Sequence, residues 1–321
     1  MRLYSVIIPI YNRPQEIDEL LESLTRQTYT NFEVLVIEDG SSEKCEHIVQ
    51  KYADQLNVQY YFKENSGQGF SRNFGFEKAK GDYFIVFDSD CLIPEHYFQA
   101  VEDYLAEHKA DAFGGPDKAH ASFTPMQKAI SYSMTSPFTT GGIRGNKKHY
   151  GTFHPRSFNM GISKEVFEKV GGYKITRMGE DLEFSMRIIK AGFKTALIPD
   201  AYVYHKRRTS LPQFYKQLHF FGRARINVGR FYEAEVKLFH WFPALFTLGF
   251  ITLPFWSAVN VYLSIAAYSV YGLFFLLNFV SSLAQNKNLH VAVLSIATSF
   301  VQLFAYGVGF LTELGRKLVV G

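Results

Sequence analysis

Apolar positions follow two rhythms in the first third of the chain. Residues 4–10 (YSVIIPI), 32–37 (FEVLVI), 58–62 (VQYYF) and 83–87 (YFIVF) are short runs rich in β-branched and aromatic side chains, as buried strands are. Between the first two, Ile17, Leu20, Leu21 and Leu24 recur at i, i+3, i+4 and i+7 behind Pro14, which predicts an amphipathic helix. A second helix follows a cap at Ser41 or Ser42, with Cys45, Ile48, Val49 and Tyr52 as its buried stripe. SRNFGFEKA forms a third helix and residues 94–107 a fourth. Strands alternating with helices predict an α/β fold with a parallel, doubly wound sheet, because parallel strands need a crossover helix.

The rhythm is lost further along. Residues 242–286 and 291–312 contain no charge, and a spanning helix needs about 20 apolar residues. The first run holds two passes with a break near 254–260, and the second holds one. The chain therefore divides into an α/β domain over 1–210, an amphipathic interfacial segment over 211–241 and a transmembrane region over 242–321. Lys206, Arg207, Arg208, Arg223, Arg225, Arg230 and Lys237 precede the first run and predict that this side is cytoplasmic. Three passes, which the span lengths favour, would put Arg316 and Lys317 outside. Two passes, with 242–256 lying in the interface, would bring them back. Phe214, Tyr215, Phe220, Phe221, Phe231 and Trp241 are interleaved with the basic residues of the interfacial segment, as in a helix lying in the headgroup plane.

Composition agrees with a membrane part: 47% hydrophobic and 17% aromatic is high for a soluble enzyme. A formal charge of +4 is too mild to argue for nucleic acid. Two cysteines, Cys45 and Cys91, are too few for a disulfide framework and suit reduced thiols in the cytosol. The apolar run at the N-terminus, punctuated by Pro9 and Pro14, is too short for a signal peptide, so the first domain is expected on the cytoplasmic face of the inner membrane.

Ligands of open α/β sheets bind beyond the carboxyl ends of the strands. Those ends carry Pro9 to Asn12, Glu38 to Ser41, Lys63 to Asn65 and Asp88 to Asp90. No G-x-G-x-x-G follows the first strand and no G-x-x-x-x-G-K-[ST] occurs, so neither a dinucleotide fingerprint nor a P-loop is present. Asp88-Ser89-Asp90 has three readings: a solvated turn, the nucleophile of a haloacid-dehalogenase-type phosphatase, or a divalent-metal site for a diphosphate. Hard ions such as Mg²⁺ and Mn²⁺ take one or two carboxylates plus substrate phosphates. The phosphatase motif usually ends the first strand and carries Thr or Val where Cys91 stands.

YSVIIPIYNRP, VIEDGSS, NSGQGFSRNFGFEKAKGDYFIVFDSD, FNMGISKEVFEKVGGY and MGEDLEFSMRIIKAGFK follow one another in order over residues 4–210. In series they resemble the family 2 glycosyltransferases, which have the GT-A fold. VYHKRRTS and FGRARIN with the membrane tail look most like the ExoA-type succinoglycan glycosyltransferases of exopolysaccharide assembly. The resemblance implies a nucleotide-sugar donor (UDP- or GDP-sugar) and Mn²⁺ or Mg²⁺ as cofactor. It places Pro9 and Tyr11 near the base, with Asp39 accepting a hydrogen bond from it, although Glu38 stands where the family has a first Asp. Arg72 would approach base or phosphate, a surface ion pair being its alternative. Asp88 would touch ribose or metal, Asp90 would ligate the metal and His205 would complete the site.

In the GED stretch the resemblance makes Asp181 the general base on an acceptor hydroxyl, with Glu180 orienting the acceptor. Asn159, Met160 and Gly161 would line the acceptor side. One-step displacement inverts the anomeric centre. The Q-x-x-R-W motif of processive synthases is absent, which argues for adding a single sugar and not a polymer. The interfacial segment would set the cleft beside the membrane, where a lipid-linked saccharide of cell-surface polysaccharide synthesis would present its acceptor sugar. Two alternatives stand: a polyprenyl-phosphate glycosyltransferase, and a non-catalytic sugar-nucleotide-binding or export-accessory membrane protein.

Overall fold

A computed structural model describes residues 1–141, 152–230, 232 and 236–320; Phe231 lies outside them. The chain opens with the predicted alternation: β1 (Tyr4–Ile10), α1 (Pro14–Thr25), β2 (Phe32–Asp39), α2 (Glu46–Gln50), β3 (Val58–Lys63), α3 (Gln68–Lys78) and β4 (Tyr83–Phe87). The turn at Asp88 leads into β5 (Cys91–Leu92), α4 (Tyr97–Glu107), β6 (Ala112–Gly114) and β7 (Asp117–Lys118). After α5 (Pro125–Thr135) and α6 (Pro137–Thr140) come β8 (Asn159–Ser163), α7 (Lys164–Val170), α8 (Glu180–Lys190), β9 (Thr195–Leu197) and β10 (Val203–His205). Helices α9 (Leu211–Gly229), α10 (Phe242–Val259), α11 (Val261–Asn286) and α12 (Leu289–Val320) complete the chain, with a 3₁₀ turn at Leu238–Trp241 before α10.

Two compact units result. The first comprises 1–120 and 146–206. Its seven-stranded sheet has the order β3-β2-β1-β4-β8-β6-β9, and β1, β2, β3 and β4 are mutually parallel. β8 runs antiparallel to both β4 and β6, so the sheet is mostly rather than wholly parallel. Alternation along β1 sends Val6, Ile8 and Ile10 to one face and Ile7 to the other, and both faces are buried. Gly75 lets α3 lie on β1: a Cβ there would come within 2.4 Å of Ile7 Cγ2.

A second sheet, β5-β10-β7, pairs His205 with Cys91. Distant segments are thereby brought beside the acidic turn at 88–90.

The expected serine cap of α2 is not made: Cys45 holds the N-cap position with no side-chain cap hydrogen bond. Glu38 is fully buried and accepts hydrogen bonds from Cys45 N–H (2.9 Å) and the Tyr60 hydroxyl (2.5 Å). Ser41 Oγ instead accepts from Asn12 N–H (2.9 Å), and Asn12 Oδ1 accepts from Ser42 N–H (2.8 Å). This stitching joins the loops that end β1 and β2, with Asn12 at φ +53°.

The second unit comprises 121–145 and 207–321. A continuous domain over 1–210 does not anticipate that α5 belongs there. Its apolar stripe, Ile130 and Met134, packs on Phe214, Leu218 and Ala305, and Thr298 Oγ1 donates to Ala129 O at 3.0 Å. The break in the first apolar run falls at Asn260, whose side chain caps α11 through Tyr262 and Leu263 N–H. Among the described residues three helices are long and apolar enough to cross a membrane: Leu238–Trp256, Val261–Asn286 and Leu289–Val319. Polar groups inside this unit pair across helices, Ser282 with Ser295 (2.7 Å) and Ser299 with Asn278 (3.0 Å), as apolar surroundings require.

Candidate active site

The acidic turn separates its two carboxylates. Cys91 N–H bonds back to Asp88 O at 3.1 Å, so the strand does not continue and Asp88 and Asp90 are presented to different neighbours. Asp88 accepts from Arg72 Nη2 at 2.8 Å. Asp90 lies with one oxygen 3.0 Å from His205 Nε2 and the other 3.4 Å from Arg13 Nη1. Lys206 N–H donates to Asp90 O at 2.9 Å, and the β5–β10 pairing fixes His205 against the turn. Phe158 stacks on the imidazole, with ring centroids 5.1 Å apart and planes 21° apart.

One donor atom each from Asp90, Cys91 and His205 lies within 4.8 Å of the other two. The three are not equivalent. Burial, with the charges of Asp90 and Asp88, pushes the Cys91 thiol well above its usual range, so it stays protonated and is a poor ligand. A carboxylate oxygen plus an imidazole nitrogen is a donor set that fits Mn²⁺ better than Mg²⁺.

Arg72 connects this half of the site to the other. It projects from α3, is 1% exposed, and reaches Asp88 with one nitrogen and Glu180 with another, at 3.5 Å. The Tyr173 ring lies 5.3 Å from the guanidinium carbon. Gln68, one turn earlier on α3, also donates to Glu180. The surface ion pair weighed for Arg72 is thus a buried bridge.

Glu180 and Asp181 open α8 after Gly179, which is at φ +101°. Carboxylates suit a helix N-terminus, and Asp181 Oδ1 accepts from Leu182 N–H at 2.7 Å. Arg156 Nη1 lies 3.4 Å from Asp181 Oδ2. Ser185 of α8 donates to Pro155 O at 2.7 Å, which holds the Arg156 segment against the helix.

The neighbouring carboxyls are pushed apart. Burial, then the Asp181 charge, raises Glu180. For Asp181 burial acts upward but is outweighed by Arg156, the Leu182 N–H and Arg72, leaving it below the ordinary range. Divergent environments of this kind separate acid and base roles.

The remaining expected residues lie as follows. Tyr11 is 52% exposed just after β1, next to buried Ile10 and partly buried Pro9. Asp39 is buried and accepts from Lys63 Nζ (2.8 Å), Ser66 N–H (2.9 Å) and Gly67 N–H (2.8 Å). Despite burial, Lys63 and the Ser66 amide hold its carboxyl below the usual range. Asp39 thus ties the end of β2 to Ser66 and Gly67, which lead into α3. Asn159, Met160 and Gly161 lie inside β8. Asn159 accepts from the Tyr97 hydroxyl (2.6 Å) and donates to Ala201 O (2.8 Å), Met160 is fully buried, and a Cβ on Gly161 would meet the Phe113 ring at 2.1 Å. These three form a buried support, not an open acceptor surface.

Sequence reasoning passed over Arg13, Gln68, Arg156 and Phe158. Arg13 sits in the quoted YNRP and Gln68 in NSGQG, but only the folded chain shows what each touches.

The sequence model described as glycosyl transferase family 2 matches residues 5–171, more than half of the chain. The minor teichoic acid biosynthesis protein GgaB of Bacillus subtilis is 26% identical over 251 residues, 74% of this chain. An uncharacterized glycosyltransferase of Haemophilus influenzae is 30% identical over 190 residues, 59% of this chain. The matches span only 28% and 62% of those two relatives. Among solved structures, the mannosyltransferase PcManGT from Pyrobaculum calidifontis, in complex with GDP-Man and Mn²⁺, superposes with a TM-score of 0.66 at 17% identity, covering 97% of this chain and 87% of that one. That likeness carries the GT-A fold. The family model, matched over more than half of the chain, leads to one conclusion: the chain belongs to glycosyl transferase family 2.

Proposed function

We propose that the protein is a membrane-anchored, metal-dependent, inverting glycosyltransferase that moves a sugar from a nucleotide-diphosphate donor to a lipid-linked saccharide on the cytoplasmic face of the inner membrane. The observation that carries this reading is the Arg72 bridge. It links Asp88, at the end of β4, to Glu180, the neighbour of Asp181.

Asp90 and His205 would hold the metal. When bound, such an ion stabilises negative charge on a departing diphosphate. Arg13, beside Asp90, adds a cation where that charge develops. Asp181, kept ionised by Arg156, is suited to take a proton from a sugar hydroxyl as it attacks the anomeric carbon. Tyr11 and Asp39 are suited to the base of the nucleotide, with Pro9 beside them and Arg72 and Asp88 fixing the cleft between base and metal.

Asp90→Ala, assayed with purified full-length protein, is expected to abolish Mn²⁺-dependent donor binding and sugar transfer. His205→Ala should weaken Mn²⁺ affinity by about 10–100-fold or more. Titration with Mn²⁺ alone, followed by paramagnetic relaxation of water, reads the site without turnover. Unchanged Mn²⁺ affinity in both variants would remove the metal from this position.

The helix registers also bear on the number of passes. α11 and α12 run antiparallel, Asn278 beside Ser299 and Ser282 beside Ser295, so the start of α11 and the end of α12 share one side. α10 begins with Pro243 O against Gly307 and ends at Asn260, where α11 starts. From 307 to 316 is about 14 Å of helix, half of a bilayer core. This supports α10 lying along the interface and two crossings, instead of the three that span length favours. A reporter fused after Gly321 in a bacterial host is then expected on the cytoplasmic side, with green fluorescence and no alkaline phosphatase activity. The opposite pattern would restore the third crossing.

A further inference from the structure

The helical unit contains a charge arrangement that sugar transfer does not use. Glu313 of α12 is 7% exposed, and three guanidinium groups converge on it. Arg223 Nε is 2.9 Å from Oε2, Arg230 Nη2 is 3.3 Å from Oε1 and Arg316 Nη1 is 3.9 Å from Oε2. One buried carboxylate needs one cation as partner. Among the described residues two positive charges are therefore left over, and Lys317 adds another. Acids nearby in sequence do not cancel the excess, because over residues 211–240 Lys and Arg outnumber Glu by five to two. A guanidinium has five N–H donors, and the Glu313 contacts engage a minority of them.

Depth and shape point the same way. Arg223 and Arg230 come from α9, and Arg316 and Lys317 from the last turns of α12. Their meeting at Glu313 sets both segments at one level, where the charge-free stretch 291–312 stops. On the reading that α12 crosses the membrane, this is the level of the lipid phosphates, which Trp, Lys and Arg side chains favour. Next to the cluster is a cavity of about 210 Å³ lined by Ile226, Gly229, Val236, Trp241, Leu314 and Lys317. Its walls are apolar except for Lys317, so it suits the carbon part of a molecule whose charge is held by the arginines.

We propose that Arg223, Arg230, Arg316 and Lys317 form a binding site for the phosphate of an anionic phospholipid headgroup, with the Trp241 cavity receiving the adjoining glycerol and acyl carbons. Glu313 keeps the guanidinium groups of two helices together, so the site is assembled before the lipid arrives. The site serves membrane attachment and stands apart from the donor and acceptor chemistry.

The chain has two tryptophans, Trp241 and Trp256, so Trp256→Phe leaves one reporter in the cavity. Full-length protein in nanodiscs of phosphatidylcholine, doped with brominated phosphatidylglycerol or brominated phosphatidylcholine, gives the measurement. Brominated phosphatidylglycerol is expected to quench Trp241 at a mole fraction at least about fivefold lower than brominated phosphatidylcholine. Arg316→Gln and Lys317→Gln should each raise the required fraction about fivefold. Both leave Glu313 its Arg223 and Arg230 partners, so loss of folding does not confuse the result. Equal quenching by the two lipids, or no change in either variant, would overturn the proposal. Displacement of phosphatidylglycerol by inorganic phosphate would overturn the lipid assignment in favour of a free anion.

Discussion

Asparagine at position 181 is expected to lower kcat for sugar transfer by about 10²–10⁴-fold, with donor and Mn²⁺ affinity unchanged. Asn is nearly isosteric and its Oδ1 still accepts from Leu182 N–H, so α8 should start as before. Its amide cannot take a proton from an acceptor hydroxyl. If the acceptor were itself a lipid phosphate, little base help would be needed and the loss would be far smaller. The substitution therefore separates the two kinds of acceptor, read by steady-state transfer with a saccharide and a polyprenyl phosphate side by side.

The same carboxyl predicts a pH profile. Burial alone would raise Asp181, but Arg156, the Leu182 amide and Arg72 together bring it below the ordinary range. The acid limb of kcat/KM should then fall below the usual aspartate region, since the base stays ionised as pH drops towards its lowered value. Arg156→Gln removes the largest opposing cause and should move that limb to higher pH. A limb unmoved by Arg156→Gln would argue against Asp181 as the titrating base.

The second large effect is on stability. Arg72→Met is expected to destabilise the α/β domain by about 3–5 kcal/mol, because a buried charge partner is removed and carboxylates are left behind. For a domain of this size that is a fall in Tm of about 10 °C, measured by thermal unfolding of the full-length protein. Asp88, with a side chain one-third exposed, can recover water, whereas Glu180, at 8%, cannot. Glu180→Gln in the Arg72→Met background should therefore restore part of the loss, while Asp88→Asn should restore little. A stability change below about 1 kcal/mol, the typical value of an exposed pair, would mean that Arg72 does not bridge the two carboxylates.

Much of the architecture follows from local pattern. Four strand runs and two amphipathic stripes were readable because strand and helix side chains repeat at different periods. The charge-free runs marked the three helices that are long and apolar enough to cross a membrane. Asp88, Asp90, Asp181 and His205 stood out as candidate site residues because they sit in ordered motifs. Their residue types and order did not reveal their partners.

Those partners required the folded chain. The pattern pointed to Ser41 or Ser42 as the cap of α2, but both are engaged with Asn12, and the N–H of Cys45 at the N-cap meets the buried Glu38 instead. His205 reaches Asp90 across more than a hundred residues through a two-residue strand pair too short to leave a periodic signal. Arg156 approaches Asp181 only because Ser185 anchors the preceding carbonyl. Arg72 lies in a motif that sequence could assign to base or phosphate, but its exclusion from water and its two acidic partners come from packing α3 against β1 and α8. Sequence by itself determined the order of elements, the helices apolar enough to cross a membrane and the inventory of reactive groups, because these depend on residue type and near-neighbour spacing. Tertiary structure alone decided which charges meet, since a pairing across distant segments depends on strand order and burial, and neither leaves a trace in local composition.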